Sequence, residues 1–582
     1  MFWDPLFDRI ALLSGAGADQ CKLIAALIIS FPLASIYVRI PANRPNVAHW
    51  FSIITSVIFL WPLLGLGKGL LELLFMSIVT YIIVASVRGP KMPWIAFFFV
   101  MTCMTITHVR RALGHVSVER IEISGSQMVL VMKLSTFAWN VHDGRRKIET
   151  LDESQKATRL AKLPNPLAFL GYCFFFPSVL VGPSFEYASY EKLLNKTIFD
   201  VAPPAGTAAA SDKRKRRTPK GRRRVAYLHG SLGVAFLAYY AALGARGSYE
   251  RINGPDWPTW SLLTRFGFVQ FCAFCVRTKY YAVWSLSEGA CILTGIGFNG
   301  YGPHTGRTRW NRVRNIDIAG IEGAESFKQL FDSWNCRTNV WLRDCVYKRL
   351  VKPGQKPGAA QSMATFVTSA FWHGIAPGYY LAFVTAGMVQ YIGKQFRHLV
   401  RPYFLAAEDP AAALKLPKWS SQPLAKKAYD IFGWFLVQVN LNYLVAPFLL
   451  LELKPSIMAW HRMYWYTHVQ IALFLVVMRL GVRRWLRSGL RPREKKVPAA
   501  VPETRIPELK LSPPTPDEYR RRPEGDEDGP DHDVEWVKYD LNTHALEDGD
   551  ALDMDGGLMD EVLSQMETRP GTPHLHNNYK DE

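Results

Sequence analysis

Two short stretches hold the residues of this chain best suited to chemistry. TSAFWHGIAPGYY (Thr368–Tyr380) sets one histidine, His373, between a tryptophan and a glycine, with apolar sequence on both sides. SFKQLFDSWNCRTNVWLRDCVYKRL (Ser326–Leu350) mixes Trp, Asn, Thr, Arg and Asp. It is too polar for a lipid-facing helix and too aromatic for a simple loop. An imidazole, with an ordinary pKa of about 6.5, can accept and return a proton near neutral pH. A carboxamide can hold a reacting group or donate to a developing oxyanion. On a helix, Asn335 and Asn339 are four apart and share a face. Trp334, Trp341 and Tyr347 would line an apolar channel beside them. Gly374, Pro377 and Gly378 should break the helix after His373 and open space around its ring. The bland alternative is a core histidine satisfied by a backbone carbonyl, or one anchored at an interface.

Other chemistries leave no mark. There is no GxSxG or HExxH, which removes the ordinary hydrolases; there is also no phosphate loop and no HxxxxD in a suitable setting, of the kind soluble-facing glycerolipid acyltransferases use. The eight cysteines sit mostly in or beside apolar segments, as buried thiols do. Cys272 and Cys275 form a CxxC inside the apolar FCAFC, but a zinc site needs about four converging ligands. No second pair lies nearby, so no metal is expected.

The elements that must position these residues are apolar blocks. Hydrophobic residues make up 49% of the 582, and aromatic residues 13%. Leu23–Ile40 carries no charge before Arg39, and Leu70–Val87 carries only Glu72. About 20 helical residues cross a bilayer. The first block lacks the basic flank and cleavage site of a signal peptide and is expected to be retained. Candidate spans cover 22–40, 47–66, 69–88, 92–108, 165–184, 226–245, 261–284, 362–372, 376–396, 428–452 and 464–483. The expected fold is therefore all-α and polytopic, with roughly 8–11 membrane helices. No internal repeat appears, which argues against a transporter of repeated halves. Gly125–Gly144 is amphipathic and is expected to lie along the interface.

Charge is distributed unevenly. The net charge is +20, yet Val501–Glu582 holds 22 acidic and 8 basic residues. A basic excess beside apolar spans marks cytosolic loops against anionic lipid rather than a nucleic-acid surface. Lys213–Arg224 has nine basic residues in twelve. Two regions follow: a membrane-embedded domain over 1–490 and a disordered acidic tail over 491–582. The formal sequon at Asn195 lies close to the basic loop, on the wrong side for glycosylation. The terminal YKDE is not a retrieval signal.

The two chemical stretches also carry a resemblance. WNCRTNVWLRDCVYKRL followed by SAFWHGIAPGYY resembles the membrane-bound O-acyltransferases, in the lysophospholipid branch of the fungal broad-specificity type. FFFPSVLVGPSFEYASY (Phe174–Tyr190), RTKYYAVWSLSEGACILTGIGFNGY (Arg277–Tyr301) and RWNRVRNIDI (Arg309–Ile318) match that branch in order. The likeness runs from about Ala16 to Arg487. It implies a many-helix fold enclosing a catalytic chamber in the bilayer of the endoplasmic reticulum. His373 falls at the family's catalytic histidine and Asn335 at its second catalytic residue, with Asn339 as the rival. Trp334, Trp341, Arg343, Tyr347, Glu288, Tyr379 and Asn339 are the substrate-binding candidates. Arg343, Lys348 and Arg349 would attract CoA phosphates, or else serve as plain positive-inside anchors. The implied reaction moves a fatty acyl chain from acyl-CoA, a co-substrate and not a resident cofactor, to the free hydroxyl of a lysophospholipid. His373 would be the general base. A sterol, diacylglycerol or protein acceptor is the alternative, and a transporter the alternative from another class.

Overall fold

A computed structural model describes residues 3–115, 120–204, 218–302, 305–351, 358–405 and 423–494. Residues 213–217 of the basic run, and the tail from 495 onward, lie outside the described residues. The expected boundary at 490 falls within a helix, Arg483–Glu494. Among the described residues the regular structure is helical, apart from one isolated bridge between Tyr301 and Thr308.

The chain divides into two units. The larger holds the described residues up to 394 together with 432–472, and contains every candidate site residue. Of the smaller, the described residues are 395–405, 423–431 and 473–494. Within it, the Tyr403 hydroxyl donates to the Leu486 carbonyl at 2.6 Å, and Phe404 stacks on Tyr429 at 4.9 Å.

The first four long helices are α1 (Ala18–Tyr37), α2 (Pro45–Leu63), α3 (Gly67–Ser86) and α4 (Met92–Leu113). A 20-residue helix is about 30 Å long, the thickness of a hydrocarbon core. Their side chains are arranged opposite to those of a water-soluble bundle. Trp50, Ile54, Ile58 and Trp61 of α2 are each at least half exposed, as are Leu71, Phe75, Ile78 and Ile82 of α3. These residues repeat at helical spacing, so each helix turns one large apolar face outward. Inward it turns small and polar groups such as Ser52, Thr55, Ser77 and Thr80. That pattern suits a lipid solvent, where close helix contact is made by small residues.

Next comes α5 (Ser124–Gly144). It was expected at the interface, and it is instead buried along nearly its whole length. Its polar stripe faces protein rather than water. Gln127 donates to Glu72 at 2.9 Å, and Asn140 donates to the Thr158 hydroxyl at 3.1 Å. Asp143 takes two bonds from Arg349, at 2.9 and 2.5 Å. Lys133, fully buried, donates to the Tyr172 carbonyl at 3.0 Å and the Ser178 hydroxyl at 3.1 Å. Its ammonium also sits 4.7 Å from the centre of the Phe185 ring.

Those partners explain a second correction. Residues 165–184 were expected to span, but the helix Pro166–Cys173 ends after eight residues. Pro177 and Pro183 cannot continue it, and the chain runs on as buried turns. Non-helical backbone at membrane depth must be satisfied by protein. Lys133 does so from one side. From the other, the Ser287 hydroxyl bonds the carbonyls of Pro177, at 2.8 Å, and Gly182.

Beyond it lie α6 (Arg222–Leu243) and α7 (Leu262–Thr294). The 33-residue α7 carries a buried charge, Arg277. Glu322 matches it bidentately at 2.8 and 2.9 Å, and Asn442 accepts a further bond at 2.7 Å. Four further helices are α8 (Cys336–Leu342), α9 (Ala359–His373), α10 (Pro377–Leu399) and α11 (Leu424–Leu450), the last two belonging to the larger unit over 377–394 and 432–450.

Among the described residues, six helices are long and apolar enough to cross a membrane, or seven if one bent pair counts as a single span. The count is lower than 8–11 because several apolar runs are broken, short or charged. The run at 165–184 breaks, α9 has only 15 residues, and α7 carries Arg277 at its middle.

Candidate active site

His373 is the last residue of α9. The helix stops there because Gly374 adopts φ 143°, ψ −171°, a region open in practice only to glycine. Pro377 then starts α10 with its ring already at a helical φ. The expected break after His373 is therefore present.

Aromatic rings wall the imidazole. Phe383 stacks on it at 5.1 Å between centroids, and Phe448 meets it edge-on at 5.0 Å. Trp372 lies at 4.8 Å and Tyr379 at 5.6 Å. His373 itself is half-buried. Neither ring nitrogen has a protein hydrogen-bond partner among the described residues, so the satisfied core histidine is not what the geometry contains. The walls exclude most water while both nitrogens stay uncommitted.

Two tryptophans tie this helix to the asparagine segment, and α5 holds both. Trp372 donates from Nε1 to the Met128 carbonyl at 3.2 Å. Trp341 donates from Nε1 to the Ser135 hydroxyl at 2.8 Å. The two indoles are 5.8 Å apart. Sequence reasoning missed Ser135, Met128 and Lys133 as positioning residues. The only available signal was the polar stripe of α5, which was assigned to the wrong surroundings.

Asn335 does not share a helical face with Asn339. Two backbone bonds flank it: Asp317 N–H to Ser333 O at 2.9 Å and Cys336 N–H to Asn315 O at 2.8 Å. Held between them, Asn335 takes φ 45°, ψ 51°, the left-handed conformation that asparagine tolerates better than most residues. It caps α8 instead of lying within it, and its carbonyl accepts from Thr338 and Asn339 at 2.9 and 3.1 Å. Among the described residues its carboxamide makes no hydrogen bond. Asn339 is the opposite case: its Nδ2 donates to the Phe331 carbonyl at 3.3 Å and to Asp332 at 3.1 Å.

The remaining candidates divide between ring contacts and structural ties. Trp334 packs on Tyr280 and Trp284 at 5.5 and 5.3 Å. Glu288, fully buried, accepts from the Asn315 N–H at 3.0 Å, with His229 4.0 Å away. It therefore fastens the loop whose carbonyl holds Cys336, next to Asn335. Arg343 is paired with Asp344, with both contacts at 3.0 Å. Lys348 reaches Asp152 at 3.0 Å, and Arg349 is held by Asp143. Each of these cations already has a carboxylate, so their first role is to tie segments together. Tyr347 is buried.

A narrow cleft lined by charged residues opens beside this region. Arg337, Lys348 and Arg349 line it together with Asp143, Glu186 and Asp344, so its charges balance. His373 is not part of its lining. Trp341 is, and Trp341 contacts Trp372, the neighbour of His373.

Comparison with known proteins adds a separate finding. A family model described as "MBOAT, membrane-bound O-acyltransferase family" matches residues 78–445. A "Lysophospholipid acyltransferase" of Schizosaccharomyces pombe is 37% identical over 495 residues, covering 84% of this chain and 92% of that protein. A "Lysophospholipid acyltransferase" of Saccharomyces cerevisiae is 37% identical over 490 residues, covering 82% and 76%. The human "Membrane-bound glycerophospholipid O-acyltransferase 2" is 27% identical over 476 residues, covering 81% and 86%.

Proposed function

This chain belongs to the membrane-bound O-acyltransferase family, and from that premise we propose that it acylates lysophospholipids with acyl-CoA as donor, using His373 as general base. It is a multi-pass membrane enzyme by family and by its apolar helices. The names of the two fungal relatives support the lysophospholipid as acceptor. The observation that carries the histidine's role is its setting: four aromatic walls and two uncommitted nitrogens at a helix end.

In this reading the free glycerol hydroxyl of the lysophospholipid gives its proton to His373 as its oxygen attacks the thioester carbonyl. The C–O bond forms, negative charge develops on the carbonyl oxygen, and the C–S bond then breaks. The departing thiolate takes the proton back from the imidazolium, leaving CoA and a diacyl phospholipid. No side chain is acylated on the way. The Asn335 carboxamide, free of other bonds, donates to the developing oxyanion, a contact worth about 3 kcal/mol where one such donor has been removed elsewhere. The aromatic walls keep out the water that would hydrolyse the thioester. We assign the enzyme to the endoplasmic reticulum membrane, which co-fractionation with a reticulum marker would test.

The decisive experiment measures transfer of labelled oleate from oleoyl-CoA to a panel of lysophospholipids in membranes containing wild type or His373→Ala. Label in phospholipid for wild type alone supports the reading. Equal transfer by both overturns the histidine's role. No transfer to any lysolipid by well-inserted wild type turns the assignment to sterol, diacylglycerol or protein acceptors.

A further inference from the structure

Asn335 is held from outside its own helix, by the Asn315 carbonyl on the Cys336 amide and by the Asp317 amide on the Ser333 carbonyl. Both holding groups belong to one buried turn, in which Asn315 and Ile316 are 3% and 4% exposed. Backbone polar groups at that depth need protein partners. α7 supplies them.

The helix grips the segment after Arg314 at two points. At one end, Glu288 Oε2 accepts the Asn315 N–H at 3.0 Å. At the other, Arg277 holds the Glu322 carboxylate at 2.8 and 2.9 Å, and the Tyr281 hydroxyl donates to the same carboxylate at 2.6 Å. Residues 277 and 288 are close to three whole helical turns apart, so both clamps lie on one face of α7, about 16 Å from each other. Between them Asp317 caps the short helix Ile318–Glu322 by accepting the Gly320 N–H at 3.2 Å. The segment therefore lies along α7 as along a splint.

Of the two clamps, Glu288 bears most directly on Asn335. The N–H of Asn315 meets Glu288, and the C=O of the same residue takes the Cys336 N–H at 2.8 Å. One residue thus separates the carboxylate from the peptide that fixes the torsions of Asn335. Glu288 is 1% exposed. Its other oxygen, Oε1, makes no hydrogen bond among the described residues, with His229 Nε2 4.0 Å away. The sequence placed Glu288 among the substrate-binding candidates, but this carboxylate faces backbone.

We propose that Glu288 is a positioning residue for Asn335: by holding Asn315 it sets the left-handed backbone that aims the Asn335 carboxamide. What it supplies is an acceptor oxygen at a fixed distance from α7, and its charge is not needed for the task. This inference rests on the reading of Asn335 as oxyanion donor.

The experiment places Glu288→Gln, Glu288→Asp and Glu288→Leu in wild type and in an Asn335→Gly background, and measures oleoyl-CoA transfer with inserted protein quantified for each. Gln keeps the length and an oxygen for the Asn315 N–H, Asp falls one methylene short, and Leu has no acceptor. Gln should stay within about threefold of wild type. Asp and Leu should lower kcat about tenfold with KM for both substrates within about twofold, the mark of lost orientation. In the Asn335→Gly background no carboxamide remains to be aimed, so the same substitutions should cost no more than about twofold in kcat. A carboxylate that only stabilised the fold would not give that non-additivity. Wild-type kcat in the Leu variant overturns the proposal, as does Asp at or above Gln, or an undiminished tenfold loss in the Gly background. If the Leu variant does not insert, the order of Gln and Asp and the effect of Asp in the two backgrounds decide. Wild-type rates for Asn335→Gly alone would instead remove the premise, an outcome distinct from all of these.

Discussion

The Cys336 amide donates to the Asn315 carbonyl across 2.8 Å, and with the Asp317–Ser333 bond it locks Asn335 in a left-handed conformation. The backbone geometry and the side-chain chemistry of Asn335 can therefore be tested separately. Glycine adopts the same φ without cost but has no carboxamide. Asn335→Gly should insert normally and lose about a hundredfold in transfer rate, because only the oxyanion donor is gone. Asn339→Ala should keep most of its activity and lose about 1 kcal/mol of stability with its bonds to Phe331 and Asp332. Transfer rates and thermal melting in detergent read the two effects. Wild-type rates for Asn335→Gly would make that residue purely a cap.

The helix break after His373 makes a second case. Gly374→Ala would put an L residue at φ 143°, with its Cβ 3.2 Å from Tyr379. Backbone strain of about 1–3 kcal/mol must then be relieved by moving the residue next to the base. The expected outcome is inserted protein with at least about tenfold lower transfer, by the orientation argument. Measured melting temperature and rate should fall out of proportion to one another.

Gly378 differs in kind. A Cβ there would be 2.1 Å from the Pro447 carbonyl, and its N–H already bonds Leu451 O at 2.7 Å. Here the obstacle is α11 backbone, which cannot rotate aside. Gly378→Ala should therefore reduce the yield of folded protein on size-exclusion chromatography, well beyond the loss seen with Gly374→Ala.

Lys133 is the buried ammonium that satisfies the turns after Cys173. Lys133→Met fills the same space and leaves the Tyr172 carbonyl and Ser178 hydroxyl without their donor. The expected loss is about 1–3 kcal/mol, read as a lower melting temperature. A raised melting temperature would mean that the desolvation of the charge outweighs its bonds.

Much of the architecture could be read residue by residue. Apolar runs of about 20 residues become helices with lipid-type outer faces, because length and hydropathy are local properties. The stop after His373 was equally legible, since glycine and proline act through their own backbone torsions.

What the sequence could not contain were the identities of the partners. The stripe on α5 was visible, but a stripe does not say whether it faces water or protein. Glu72, Tyr172, Arg349 and the other groups that meet it come from distant segments. Length suggested a span over 165–184, but buried turns are stable there only because Lys133 and Ser287 reach them. Asn335 leaves the helix because two backbone bonds from residues 315 and 317 hold it out, a long-range constraint stronger than local helical preference. Composition and local torsion determined which segments are apolar helices and where they break. Tertiary packing decided which polar groups are satisfied, because a hydrogen bond depends on distance in space and not along the chain.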